Sequence, residues 1–370
     1  MRPAPIQPEP LPARSPVNIH NEWDPLEEII VGSLEGMVIP PWEPGMAGPM
    51  YEPHFPLFKT QGGKPWPAEL ARKAEQELEG LARVLEAEGV KVRRPAKVDW
   101  SKNFSSPDWS SPSGLGAANP RDSLLVIGNE IIETPMAWRS RYFETLAFKP
   151  LLKEYWAAGA GWISAPRPQL HDDLYEKDFV QPKKGELGKF VINDHEPIFD
   201  AADVIKCGRD IFMGLSSTCN HAGVEWLRRY LRDRHGDTYR VHELLFDDQH
   251  PMHIDATFYP LAPGKLLVHP ERVVKVPEIF KDWDVFRAPE PHIPDEHPLY
   301  FSSKWMNLNV LMLDEKRVIA TQGEERTLEL LKKKGFEPIP IPFWNFNNFG
   351  GSFHCATLDI RRQGSLQSYF

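Results

Sequence analysis

Residues 122–135 read DSLLVIGNEIIETP. Two short runs rich in Leu, Val and Ile flank a Gly-Asn pair. A β-rich run, a tight polar turn and a second β-rich run are the pattern of a hairpin. The plan returns in DVIKCGRDIFMG (203–214), ATFYPLAPGKLLVHP (256–270) and NVLMLDEKRVIAT (309–321). The turns centre on Gly128, Gly208, Gly264 and Glu315, a loose period of roughly fifty to eighty residues, longer than most repeat arrays. LEEIIVGS (26–33) and SFHCATLDIRR (352–362) are expected to supply the strands of a further unit.

Helical patterns fall between the hairpins. AELARKAEQELEGLARVLEAEGV (68–90) has apolar residues at helical spacing and a glycine stop. RSRYFETLAFKPLLKEYWAAGA (139–160), HAGVEWLRRYLRDRHG (221–236) and EERTLELLKKKGF (324–336) read similarly. Pro150 is expected to break or kink the first of these three. Strand pairs alternating with helices predict an α/β protein of repeated ββαβ-type units rather than one doubly wound sheet. Two stretches have no regular pattern, Ile39 to Pro67 and Asn103 to Pro120. Long ordered loops of this kind often cover active sites, and the plainer alternative is surface loops packed by their own aromatics.

The 370 residues are 41% hydrophobic and 26% charged, a globular composition. A net charge of -9 argues against nucleic acid and anionic membrane surfaces as partners. No uninterrupted apolar run is long enough to span a bilayer. Residues 1–18, MRPAPIQPEPLPARSPVN, hold too many prolines for a helix and are expected to be a disordered lead-in to a single domain over 19–370. A cytoplasmic protein is expected. Cys207, Cys219 and Cys355 are odd in number and widely spaced, unlike a secreted disulfide framework.

Chemistry gathers where the hairpins begin. GGSFHCATLDIRR (350–362) sets Cys355 just after two glycines, which let backbone approach a ligand closely. PMHID (251–255) precedes another apolar run, and FDAAD (199–203) a third. If MHID starts a strand, His253 and Asp255 share a face. Taken alone, an H-x-D pair is more often a satisfied core histidine beside a turn aspartate. Asp122, Asp200 and Asp203 alone suit structural caps equally well. Together, a thiol, an imidazole and carboxylates at strand starts are the parts of a cysteine-nucleophile enzyme. Units closed in a ring would bring them together, and a ring of carboxylates suits a planar guanidinium. Zinc ligand types occur in His253, Asp255, His354 and Cys355. No C-x-x-C or H-E-x-x-H spacing accompanies them, and residues 354 and 355 on one strand would point to opposite faces. No metal and no cofactor are expected.

Several longer runs are specific: NEWDPLEEIIVG, RDSLLVIGNEIIETPMAWRSR, GKFVINDHEPIFDAADVIKCGRDIF, PMHIDATF, HPLYFSSKW, NVLMLDEKRV, GGSFHC and RRQGSLQSY. With them the chain, from about Asn21 to its end, resembles the amidinotransferase family. The resemblance implies a pentein β/α-propeller: five ββαβ units in a pseudo-fivefold ring around a central active-site channel. The hairpin repeat agrees with that plan without yielding the number five. Carried over position by position, the resemblance implies Cys355 as nucleophile, His253 as general acid/base and Asp200 as the carboxylate that orients His253. Asp122 and Asp255 would bind the guanidino group. Arg272, Ser302 and Ser303 would hold the amino-acid end of the donor. His250 and Met252 would govern the acceptor.

The implied reaction moves the amidino group of L-arginine to a small primary amine through a covalent amidino-cysteine, with a homodimer as the implied assembly. Met252 matches the glycine-using members, whereas His250 stands where they carry asparagine, and Ser217–His221 also differs from theirs. Glycine is the expected acceptor, giving guanidinoacetate and ornithine. The alternatives are a secondary-metabolite amidinotransferase with another amine, an arginine deiminase-like hydrolase that passes the intermediate to water, and a non-enzymatic guanidinium-binding module.

Overall fold

The computed structural model describes residues 15–370. Its hairpins form where the sequence placed them. Leu124–Ile127 pairs antiparallel with Glu130–Glu133, Val204–Cys207 with Asp210–Gly214, and Phe258–Ala262 with Lys265–Val268. Each turn turns on a glycine with positive φ: Gly128 at 59°, Gly208 at 65° and Gly264 at 74°. Two-residue hairpin loops demand that backbone, and only glycine adopts it without a Cβ clash. Leu311–Met312 and Arg317–Thr321 make a fourth hairpin across a longer loop.

In every unit the second strand continues into a third that lies parallel to it. The third strands are Gly161–Ser164, Arg240–Leu244, Asp284–Arg287 and Glu337–Ile341. Parallel neighbours need a crossover, and amphipathic helices supply it. Lys149–Ala157, His221–His235 and Glu325–Lys333 do so in three units. Pro150 sits in the first turn of its helix, where a missing N–H costs nothing, and the residues before it form 3₁₀ turns. The unit built on Phe258–Ala262 departs from the expected ββαβ plan, because only the 3₁₀ turn Glu278–Phe280 separates its last two strands. A fifth sheet joins the chain ends. Thr357–Arg362 pairs antiparallel with Leu26–Val31, which runs parallel to Lys91–Arg93 after the helix Ala68–Ala87. Among the described residues the result is five three-stranded sheets with one pattern of strand pairing, and a small hairpin, Phe104–Ser105 with Ser110–Ser111, outside them.

The strands LLVI and VIKC are buried at every position. Strands covered on both faces read as continuous apolar runs, as LLVI does; VIKC departs only at Lys206, whose buried charge pairs with Glu22 at 2.8 Å. Packing begins earlier than the expected boundary at residue 18. Val17 is fully buried, and the Asn18 N–H donates to the Ile360 carbonyl at 3.0 Å. The rest of the proline-rich lead-in, residues 1–14, lies outside the described residues. Among the described residues no helix is long and apolar enough to cross a membrane.

The feature that positions the site is shared by all five sheets. The chain makes one helical turn before entering each first strand: Pro120–Ser123, Ala201–Asp203, Ile254–Ala256, Met306–Leu308 and the turn through Phe353–Ala356. The first four touch in series, and Pro120–Ser123 also meets the strand that follows Cys355.

Candidate active site

These turns carry the polar residues. His253 ends an extended approach and opens its turn with φ at 55°, a left-handed conformation that costs a non-glycine residue energy and is held only by its surroundings. Its Nε2 lies 3.1 Å from Asp200 Oδ2, and its Nδ1 lies 3.8 Å from Asp122 Oδ1. Burial opposes a charge on this ring. The Asp122 charge, the Asp200 hydrogen bond and the nearby Asp203 outweigh it and raise His253 to about 10. Arg141, unremarked in the sequence, sits behind the acids. Its Nη2 donates to Asp122 Oδ2 at 2.9 Å, its Nε donates to Glu144 at 2.8 Å, and its Nη1 is 3.6 Å from Asp200 Oδ2. Burial, with Asp200 and Asp255 close by, still pushes Asp122 upward.

Cys355 faces Asp255, with Sγ 3.4 Å from Oδ2. The same oxygen meets His354 Nδ1 at 2.7 Å. Residues 354 and 355 therefore do not point to opposite sides as expected of a strand. They occupy a turn, and the strand begins at Thr357. MHID likewise precedes its strand, which begins at Phe258. The far nitrogen of His354, Nε2, meets Glu22 Oε2 at 3.2 Å, and Glu22 is held by Lys206 Nζ at 2.8 Å. Arg121 bridges onward to Asp359 at 2.6 Å. This chain of buried charges remains stable because each member has an opposite neighbour. Burial works against the Asp255 charge, but the His354 hydrogen bond and the charges of His354 and His253 keep its carboxyl low. Burial, then Asp255 and Asp122, push the Cys355 thiol well up. Cys207 and Cys219 are also buried with raised thiols, and neither lines the cavity described next.

Two carboxylate oxygens, Asp122 Oδ1 and Asp255 Oδ1, are buried without a hydrogen-bond partner. An unsatisfied buried acceptor is costly and points to a ligand with matching donors. Between Cys355, His253 and Asp255 lies a cavity of about 60 Å³. Its rim includes Met50, Tyr51, His250, Met252, Arg272, Ser302 and Ser303. Arg272 is pinned on three sides: Nε is 3.1 Å from Asp248 Oδ2, Nη1 donates to Thr257 Oγ1 at 3.3 Å, and Nη2 to Ser303 Oγ at 3.4 Å. Ser302 Oγ donates to the Asn347 carbonyl at 2.5 Å. The His250 ring packs on Tyr51 at 4.0 Å between centroids. A wider vestibule of about 400 Å³ continues outward, sharing Tyr51, His250, Arg272 and Ser302. Thus the Ile39–Pro67 segment does border the cavity, through Pro49–Tyr51, whereas no lining residue comes from 103–120.

Among the described residues no cluster of three or more His, Cys, Asp or Glu side chains has a metal-holding arrangement. His354 spends its second nitrogen on Glu22 rather than on a shared centre. Sequence reasoning missed Arg141, the Glu22–His354 pair and Asn309. Only Asn309 carried a signal, since it opens the quoted run NVLMLDEKRV as the acids open theirs.

Gly351 shows how closely the Cys355 side chain is packed. A Cβ there would lie 2.3 Å from Cys355 Cβ and 2.7 Å from Sγ. Gly351→Ala is expected to displace the thiol and slow adduct formation about 100-fold, since a shift near 1 Å costs that much in attack geometry. Single-turnover mass spectrometry of the C-terminal peptide measures it; a rate within twofold of the parent would contradict the expectation.

No family model matches the chain. Individual proteins do. It is 53% identical over 355 residues to the L-arginine:L-lysine amidinotransferase of Pseudomonas savastanoi pv. phaseolicola, covering 96% of this chain and 97% of that one. It is 47% identical over 371 residues to the mitochondrial glycine amidinotransferase of Danio rerio, covering 98% of this chain and 87% of that one. Among solved structures, SxtG, an amidinotransferase of the saxitoxin biosynthetic pathway from Microseira wollei, superposes with a TM-score of 0.88 at 51% identity, covering 96% of this chain and 100% of that chain. The DDAH of Pseudomonas aeruginosa, at 17% identity and a TM-score of 0.56 over 90% of this chain and 99% of that one, shares the fold alone, consistent with a pentein fold. At this identity over nearly its whole length, the chain belongs to the amidinotransferase family.

Proposed function

We propose that the protein transfers the amidino group of L-arginine to a primary amine by ping-pong chemistry on Cys355, within a pseudo-fivefold ring of the five sheets. The observation that carries the reading is the pair of unpartnered buried oxygens around the catalytic candidates: Asp255 Oδ1 belongs to the cavity that holds Cys355 and His253, and Asp122 Oδ1 lies 3.8 Å from His253 Nδ1. A guanidinium supplies the N–H donors they lack. Its positive charge also offsets the carboxylates that disfavour the thiolate, so Cys355 releases its thiol proton to solvent as the donor binds. The thiolate attacks the central carbon. His253, held charged by Asp122 and Asp200, gives a proton to the departing ornithine nitrogen. An amidino group remains on sulfur. Neutral His253 then takes a proton from the incoming amine, which attacks and releases Cys355. Asp200 keeps the imidazole oriented throughout. The narrow cavity, about 60 Å³ with Tyr51 at its rim, limits water's access to the intermediate.

Arg272, Ser302 and Ser303 sit at the mouth of the cavity, where an amino-acid end would rest. We place L-lysine first as acceptor. Lysine is ornithine with one more methylene, so an amine leaving group and an amine acceptor of the same kind use the same anchors. The lysine-using relative at 53% identity supports this order. Glycine, expected from Met252, stands second on the glycine-using relative at 47%. Steady-state assays with arginine and a panel of lysine, glycine and other amines decide it. Turnover with lysine at least about tenfold above glycine in kcat/KM is expected, a difference of about 1.4 kcal/mol. Equal or better turnover with glycine would reverse the order. Citrulline released from arginine alone, with no amine consumed, would replace both readings by a hydrolase.

A further inference from the structure

Asn309 is fully buried and belongs to the turn before the fourth hairpin, yet its side chain reaches into the turn that carries Cys355. Its Oδ1 accepts from the backbone N–H groups of Ser352 and of Cys355, both at 3.1 Å. Its own carbonyl receives the His354 N–H at 3.4 Å. Three donors of the nucleophile turn thus converge on one residue from a different sheet. The amide is planar, so fixing its oxygen fixes its nitrogen. Nδ2 is buried and has no hydrogen-bond partner. Buried amide donors are seldom left unpaired, and one that is unpaired beside a reacting group marks a partner that exists only in another state.

Sγ is that partner. In the resting protein the thiol donates toward Asp255 Oδ2. Once the proton leaves, Sγ becomes an acceptor among carboxylates, with Asp255 and Asp122 around it. A neutral, fixed N–H is the group such a sulfur lacks. Burial and both carboxylates disfavour the thiolate, while the Asn309 side chain acts in the opposite direction.

We propose that Asn309 is a positioning residue for the nucleophile: its amide oxygen anchors the turn that presents Cys355, and its NH₂ group donates to Sγ once the thiol is ionised. The inference rests on Cys355 being the nucleophile, and its test does not require turnover. Asn309→Ser and Asn309→Ala remove the amide without adding charge; Asn309→Asp keeps the anchoring oxygen and serves as a charge control. The readout is the pH dependence of Cys355 alkylation by iodoacetamide, followed by mass of the C-terminal peptide, beside the rate of amidino adduct formation from arginine. In whichever neutral variant folds, judged by its melting curve, the alkylation midpoint is expected to rise by at least about one pH unit. Adduct formation is expected to slow about tenfold or more, with arginine affinity within about threefold of the parent. A purely structural role would lower melting temperature without moving the alkylation midpoint. An unchanged midpoint in a folded neutral variant, or a shift confined to Asn309→Asp, overturns the proposal. A parent enzyme that alkylates at Cys355 but never forms the adduct overturns the proposed function instead.

Discussion

Cys355→Ala is expected to lower amidino transfer by at least about 10⁴-fold while arginine still binds. The size follows from the chemistry. Without sulfur no covalent intermediate forms, and the acceptor amine would have to attack arginine directly, with its donor and leaving group still joined. Binding should persist because the groups proposed to meet the guanidinium are elsewhere: Asp122 lies in the turn Pro120–Ser123 and Asp255 in Ile254–Ala256. Removing Sγ also relieves Asp255 of one hydrogen bond, which leaves its carboxylate freer for the ligand. Calorimetry with arginine and product analysis after long incubation separate the two effects. Residual turnover within tenfold of the parent would remove Cys355 from the mechanism. Loss of binding together with turnover would show that the substitution had disturbed the cavity rather than the chemistry.

His253→Gln is the second large effect, expected at about 10³-fold or more in transfer, the scale of a lost general acid/base. The pH behaviour makes the prediction sharper. His253 is raised in the folded protein to about 10 from an ordinary 6.5, because Asp122 and Asp200 overcome its burial. A group whose folded value is raised lends stability that is fully present below about 6.5 and is lost as pH climbs through about 10. The parent should therefore melt at progressively lower temperature between about pH 7 and 10, and His253→Gln should show a shallower decline over that window. In the proposed mechanism, the same charge lets the imidazole start as an acid. A bound guanidinium adds a second positive charge nearby and moves the ring back toward neutrality, which readies it to surrender its proton to ornithine. Parallel melting curves for parent and variant across the window would mean that His253 does not carry the charge. Transfer by His253→Gln within tenfold of the parent would assign the proton transfers to another group.

Much of the architecture was legible because it rests on local chemistry. Gly128, Gly208 and Gly264 announce two-residue turns, since no other residue adopts that backbone cheaply. Apolar runs such as LLVI announce strands covered on both faces. Helix positions followed from 3.6-residue spacing, and Pro150 from its missing N–H. Where reading failed, the cause was direction rather than type. Local sequence places His253, His354 and Cys355 at strand starts, whereas all three lie in turns just before them. In a strand, neighbours alternate sides; in a turn they need not, and so His354 and Cys355 both reach one oxygen of Asp255.

The missing helix between Lys265–Val268 and Asp284–Arg287 is a failure of another sort. A repeat plan inferred from its neighbours carries no information about a unit whose connecting segment has its own sequence, here interrupted by Pro270 and Pro277.

By itself, the sequence determined which residue types stood ready at each hairpin entrance, because turn chemistry and apolar periodicity are properties of a few adjacent residues. Only the tertiary structure decided which of them meet. Asp200 reaches His253, Glu22 reaches His354 and Asn309 reaches the Cys355 backbone across separations no local rule spans. Those pairings exist because five separately wound sheets bring their leading turns against one another. There, burial strengthens each charge's dependence on a neighbour that is distant along the chain.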